Sequence, residues 1–322
     1  MANHTHHIPI RPLACDVPPG KLRQMAFLAS WCADRTSLAT FEPPYEIILT
    51  PSANIQAAAN RYLADAGDNP NVRTSAAAIA VPVTTCGHLR AAIIIAAESL
   101  EAFDHGHAET DHFASALLEE MLHVRHYAIT FDRRGFIHYN LPSRCQSDLM
   151  ELAYHMLDEY VVGRWKADLV EAELCYGGSL PHDIERGLHQ LADLVRDAAT
   201  AAVDITEAWA RTAEIISGPT LGVLVREAGR RANRAGPSPA GDPSTSALFL
   251  RHLLPYWRHI LPRLEAAFDD LGKADDELPQ VASQLHSFLD QCGIKLTTMD
   301  DGTCWVVFVS GWADSVIASR AA

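Results

Sequence analysis

"ALLEEMLHVRHYAITF", residues 116–131, places Glu119, Glu120, His123 and His126 inside one short apolar segment. The spacing of the apolar residues predicts a helix from about 109 to 129. At ~100° per residue, Glu119, His123 and His126 fall within one sector of roughly 60°, and Glu120 lies about 100° from Glu119. Phe113, Leu117, Met121, Val124 and Ala128 form a stripe on the opposite side, with Leu118 and Leu122 on its flank. Charged residues opposite an apolar stripe are also what an ordinary solvated helix shows.

Positions i and i+4 of a helix let two side chains converge on one ion, with bonds of ~2.0–2.2 Å for zinc. Glu119 and His123 have that spacing. Glu120, directly after the first candidate ligand, stands where a general base would reach a coordinated water. A second helix is expected in "DLMELAYHMLDEYVVGRWKADL", residues 148–169, where Glu151, His155 and Glu159 recur at i+4 on one stripe. Small residues follow Glu159 at Val162 and Gly163, and then come Trp165, Ala167 and Leu169.

Together these two segments resemble the gluzincin metallopeptidases, a zincin-like family. That family carries His-Glu-x-x-His on one helix, and its third zinc ligand is the Glu of a later Glu-x-x-Ala-(Asn/Asp) segment. Here the first helix reads Glu-Glu-x-x-His, and Glu159 lies 36 residues beyond His123. The resemblance implies Glu119, His123 and Glu159 as metal ligands and Glu120 as the general base. It implies zinc as the cofactor and a peptide or protein as substrate or partner. It also implies an edge strand just ahead of the first helix, a place that "LRAAIIIAAES" occupies, and it covers roughly residues 15–175.

The departure is Glu119, where the family has His. A shell of two carboxylates and one imidazole carries more negative charge, which makes the ion a weaker Lewis acid and shifts preference toward Mn or Fe. The chain therefore reads as a metal-dependent peptidase, as a degenerate relative, or as a non-catalytic binding module on the same scaffold. His126 and His155 are candidates to replace or orient a ligand. A di-iron carboxylate bundle is a further alternative: Glu120 and His123 fit half of its Glu-x-x-His pattern, while Glu151 and His155 have the wrong spacing for the other half. No G-x-S-x-G, Walker loop or G-x-G-x-x-G is present.

Composition narrows the classes. The 322 residues are 48% hydrophobic and 20% charged, as in an ordinary globular protein, with a formal net charge of −14. Such an acidic chain is not expected to bind nucleic acid or an anionic membrane surface. The longest apolar run, "RAAIIIAA" at 90–97, is too short to span a bilayer. The N-terminus does not read as a signal peptide, and its His4, His6 and His7 read as a flexible polar end. Seven scattered cysteines without a C-x-x-C suggest reduced thiols in a cytoplasm, not a disulfide framework.

The fold class expected is α+β, mainly α. Residues 1–175 form a zincin-like domain with a small sheet and active-site helices. Residues 176–322 form a helical extension with a flexible loop at 234–246 and a C-terminal β-hairpin. In the first part, helices are expected at 18–33 and 53–66, after a turn at "FEPP" and before a break at "AGDNPN". "YEIILT" reads as a strand, and two strand-like runs flank "TCGH" as a hairpin, with Pro82 marking an edge or a bulge. A loop at "DRRGFIHYNLPSRC" precedes a helix at 146–174, which "CYGGSLP" stops. One long helix is expected from 181 to 216, ended by "SGP", then others at 220–234, 247–271 and 278–291. The final hairpin turns at Asp300-Asp301-Gly302.

Overall fold

The structure, a computed structural model, describes residues 8–38, 45–68, 72, 74, 76–134, 144–170, 179–232, 240–271 and 274–319. The expected turn at "FEPP", most of the loop before 144, the stop at "CYGGSLP", the first half of the 234–246 loop and the N-terminal histidines lie outside them. The chain is mainly helical with a small sheet and a hairpin. It forms two compact units, residues 1–136 with 168–175, and residues 137–167 with 176–322. The helix that carries Glu159 therefore belongs with the C-terminal half, not with residues 1–175.

In the first unit, four strands run β1 (Ile10–Pro12), β2 (Tyr45–Thr50), β3 (Ala78–Thr85) and β4 (His88–Ala96). Their spatial order is β1-β2-β4-β3; β1 and β4 pair parallel with β2, and β3 pairs antiparallel with β4. The Ile-rich β4 is thus an interior strand, which corrects the expectation that it is an edge. A strand buried on both faces reads as a continuous apolar run, and Ala91 to Ala96 are all buried. The edge is β3, where Pro82, lacking an N–H, interrupts no ladder beyond β4. The β3–β4 turn uses Cys86 and Gly87, both at positive φ (52° and 80°), as a tight hairpin requires.

Alternation sorts the sheet into two faces. Ile47, Leu49, Ile93 and Ile95 pack with α1 (Pro19–Arg35) and α3 (His107–Arg134). Ile48, Ala92 and Ile94 pack with α2 (Ile55–Asp65) on the other side. This helix–sheet–helix layering gives α3 its apolar stripe: Phe113, Leu117, Leu118, Met121 and Val124 join the first face.

The second unit assembles α4 (Arg144–Ala167), α5 (Leu180–Ala199), α6 (Ile205–Ile215), α7 (Leu221–Ala232), α8 (Leu254–Asp269) and α9 (Ala274–Gln291) around one core. The hairpin β5 (Ile294–Thr298) and β6 (Cys304–Phe308) follows, and then α10 (Gly311–Ala318), a helix not expected from the sequence. Three boundaries differ from expectation. Helix α4 ends at Ala167, short of 174. The long helix expected to 216 breaks after Ala199, because Ala201 turns to φ 56° and the Asp204 side chain accepts from the backbone N–H groups of Thr206 and Glu207, capping a new helix. "SGP" does not end α6; residues 216–220 form a π-helical turn that leads into α7.

Two features tie the unit down. Residues 240–246, expected as mobile linker, are held by Leu180 N–H to Ala240 O (2.7 Å), by a short bond from the Arg231 guanidinium to Gly241 O, and by an Asp242 cap on Ser244. Cys145 and Cys304 form a disulfide across 159 residues of sequence, Cα atoms 5.1 Å apart. This corrects the reading of all seven cysteines as reduced thiols. Scattered spacing carries no information on proximity, and here the first turn of α4 meets β6, where Arg144 N–H also donates to Gly302 O (3.1 Å).

Candidate metal centre

Helix α3 is not a solvated helix with one wet face. From Phe113 to Thr130 its residues are buried or half-buried apart from Ala116, with His123 at 7% and His126 at 0% exposure. The ring of His123 stacks near that of Tyr127 one turn on, centroids 6.3 Å apart. Burial also holds the Arg125 guanidinium below the ordinary arginine value.

Helix α4 presents the other part. Met156 to Gly163 are buried on every side of the helix, and Glu159 is among them, 5% exposed. Its carboxylate receives the Arg226 guanidinium from α7: Nε donates to Oε2 at 2.6 Å. His155, one turn before, has Nε2 3.7 Å from Oε1. The close approach of α7 to α4 depends on two glycines. A Cβ at Gly163 would stand 2.3 Å from the Arg226 carbonyl oxygen, and one at Gly229 would stand 2.3 Å from that of Tyr160.

One ligand atom each from Glu119, His123 and Glu159 lies within 4.8 Å of the other two, a group that could hold a metal ion. Two carboxylates and one imidazole also form a suitable donor set for a divalent ion. Among the described residues this group does not include Glu120, His126, Glu151 or His155. Glu120 is half-buried, next to Glu119 on α3. Glu151 is exposed on α4.

These three are the residues that the gluzincin resemblance implied as ligands. Arg226 was not expected: it lies 67 residues from Glu159 in a segment without a motif. The one available signal was the pair of small positions, Gly163 and Gly229, which allow two helices to touch. Comparison of the chain with protein-family models, with curated proteins and with solved structures gives no match. No helix among the described residues is long and apolar enough to cross a membrane.

Proposed function

We propose that the chain is a metal-dependent peptidase of zincin-like type, using Glu119, His123 and Glu159 as ligands and Glu120 as general base. The observation that supports this is the convergence of three side chains from two helices, at the spacing of the gluzincin pattern. A divalent ion, once bound, polarises a peptide carbonyl and acidifies a coordinated water. The residues supply the rest. Glu119 and His123, one turn apart, fix the centre on α3, and Glu159 closes it from α4. Glu120, on the same turn as Glu119, accepts the proton that water loses and returns it to the leaving amine.

Zinc is the ion proposed, with Mn or Fe as the alternatives that the extra carboxylate favours. Peptides or proteins are the proposed substrates, and a scaffold that binds a protein without cleaving it is the second reading. A cytoplasmic location has scattered thiols as its support, and the Cys145–Cys304 bond weighs against it, because disulfides persist mainly in oxidising surroundings.

The deciding experiment is metal analysis of protein purified without an added histidine tag, beside His123→Ala and Glu159→Ala. About one equivalent of metal in the wild type, lost in both variants, is the expected result. Equal content in all three would defeat the reading, since His4, His6 and His7 alone could then account for the metal.

A further inference from the structure

A sheet with one wet face alternates along each strand, apolar toward the core and polar toward water. The inward residues of the final hairpin obey: Ile294 and Phe308 are buried in the core of the second unit, and Leu296 and Val306 pack against it. Outward, β5 obeys as well, with Lys295 and Thr297 exposed. Strand β6 does not. Its outward residues are Trp305, 60% exposed, and Val307, 46% exposed, and the next outward position is Val309, 50% exposed. Met299, at the start of the turn, adds a fourth large apolar side chain. Trp305 stands opposite Thr297 and Val307 opposite Lys295, so these side chains share one face. Single exposed apolar residues need no explanation, whereas a contiguous patch of them marks a contact surface.

The charges at the two ends of this face say what covers it. At its base stands Lys295, whose ammonium has three donors and gives one to Asp290. At its tip stand Asp300 and Asp301, both exposed. The carboxylate of Asp301 accepts from the N–H and the hydroxyl of Thr303, which fixes the turn. Five residues at ~3.4 Å each separate the basic end from the acidic one. A two-fold axis level with Trp305 and Thr297 reverses the hairpin between two copies. Trp305 then meets its own copy, Val307 meets Met299, and Lys295 meets Asp300. A patch that matches itself after such a rotation is what an isologous contact requires. The net charge of −14 turns an anionic lipid surface away. Between two copies, salt screens that charge beyond ~8 Å at physiological strength, while the contact face itself is apolar.

We propose that the outward face of the β5–β6 hairpin is the contact surface of a homodimer, with Trp305 at the two-fold axis and Lys295 facing the partner's Asp300. Four apolar side chains supply only part of the ~800 Å² per partner that a stable interface buries. The dimer is therefore a weak one, half-formed at about 10–100 µM.

The test is sedimentation velocity of the oxidised full chain from about 1 to 300 µM, a range that brackets that affinity. A monomer–dimer equilibrium is expected for the wild type. Trp305→Glu should weaken it at least about 30-fold, as loss of a central aromatic anchor does. Val307→Lys should also weaken it, and stands in should Trp305→Glu not fold. Lys295→Glu should weaken it about 3–10-fold, and Lys295→Glu/Asp300→Lys should return it to within about twofold of the wild type. A wild type that stays monomeric throughout, or a dimer that Trp305→Glu and Val307→Lys leave unchanged, overturns the interface. So does a dimer that survives a non-reducing denaturing gel, since the exposed Cys86 would then be its link. A loss in Lys295→Glu that Asp300→Lys does not repair overturns the two-fold register.

Discussion

Gly163 and Arg226 meet backbone to backbone: a Cβ on the glycine would stand 2.3 Å from the arginine's carbonyl oxygen. Real Cβ contacts do not come so close, so any side chain at 163 must push α7 off α4. The contact links helix packing to the site, because Arg226 extends from the same residue to Glu159. Gly163→Ala is expected to cost about 1–3 kcal/mol of stability by overpacking. Urea denaturation measures it, with Gly311→Ala as the comparison, since a Cβ there meets nothing within 4 Å. Equal midpoints for the two variants would show that α7 moves freely.

Glu120→Gln tests the division of labour on α3. On the proposed peptidase reading, the amide cannot accept a proton, so hydrolysis of a casein probe should drop by about 10²–10⁴-fold, the range for loss of a general base. Metal content should stay at the wild-type level. On the same reading, Glu119→His creates a His-Glu-x-x-His sequence and should tighten zinc binding. Loss of metal in Glu120→Gln would make Glu120 a ligand instead.

Much of this site was legible because helix geometry is local. Glu119, Glu120 and His123 share a turn whatever the helix packs against, and β4 was readable as a strand, though not as an interior one, from its run of isoleucines. What escaped is set by long-range packing. Strand β1 is three residues ending in Pro12, and it exists only because the sheet edge at β2 receives it. The alanine-rich stretch at 197–202 favours helix by composition, yet Ala201 takes φ 56° so that α6 can start afresh from Asp204. The disulfide and the Arg226–Glu159 pair join positions far apart in sequence, which a single chain read in order does not bring together.

Reduction of Cys145–Cys304 should destabilise the second unit. Closing a loop of this length restricts the unfolded chain, and loss of such a bond typically costs about 2–5 kcal/mol. Urea titrations with and without dithiothreitol should therefore differ for the wild type and coincide for Cys145→Ser/Cys304→Ser. Coincident curves for the wild type would mean that the bond adds no stability.

His252 carries a pH dependence. The Trp312 indole N–H donates to its Nδ1 at 3.2 Å, which requires that nitrogen to be unprotonated. Burial, and then the charge of Arg251, lower its pKa from the ordinary value of 6.5. Between the lowered value and 6.5 the unfolded chain binds more protons than the folded one. Stability thus rises with pH through this window, is fully present above it, and is lost as the pH falls. Thermal melts from about pH 5 to pH 8 should show the rise, on a histidine scale set by its reference pKa. His252→Gln should flatten it, and an identical profile would assign the rise elsewhere.

The Cys145–Cys304 bond also decides how the protein responds to being pulled. Stretched from its two ends, the chain cannot release the segment between these cysteines, because tension crosses from the first turn of α4 to β6 through sulfur. The 159-residue separation holds back about 560 Å of contour at ~3.5 Å per extended residue. Helices α5 to α9 lie wholly inside that closed ring. In an optical trap the oxidised protein should therefore lengthen to about half the reach of the reduced one, with those five helices never bearing the load.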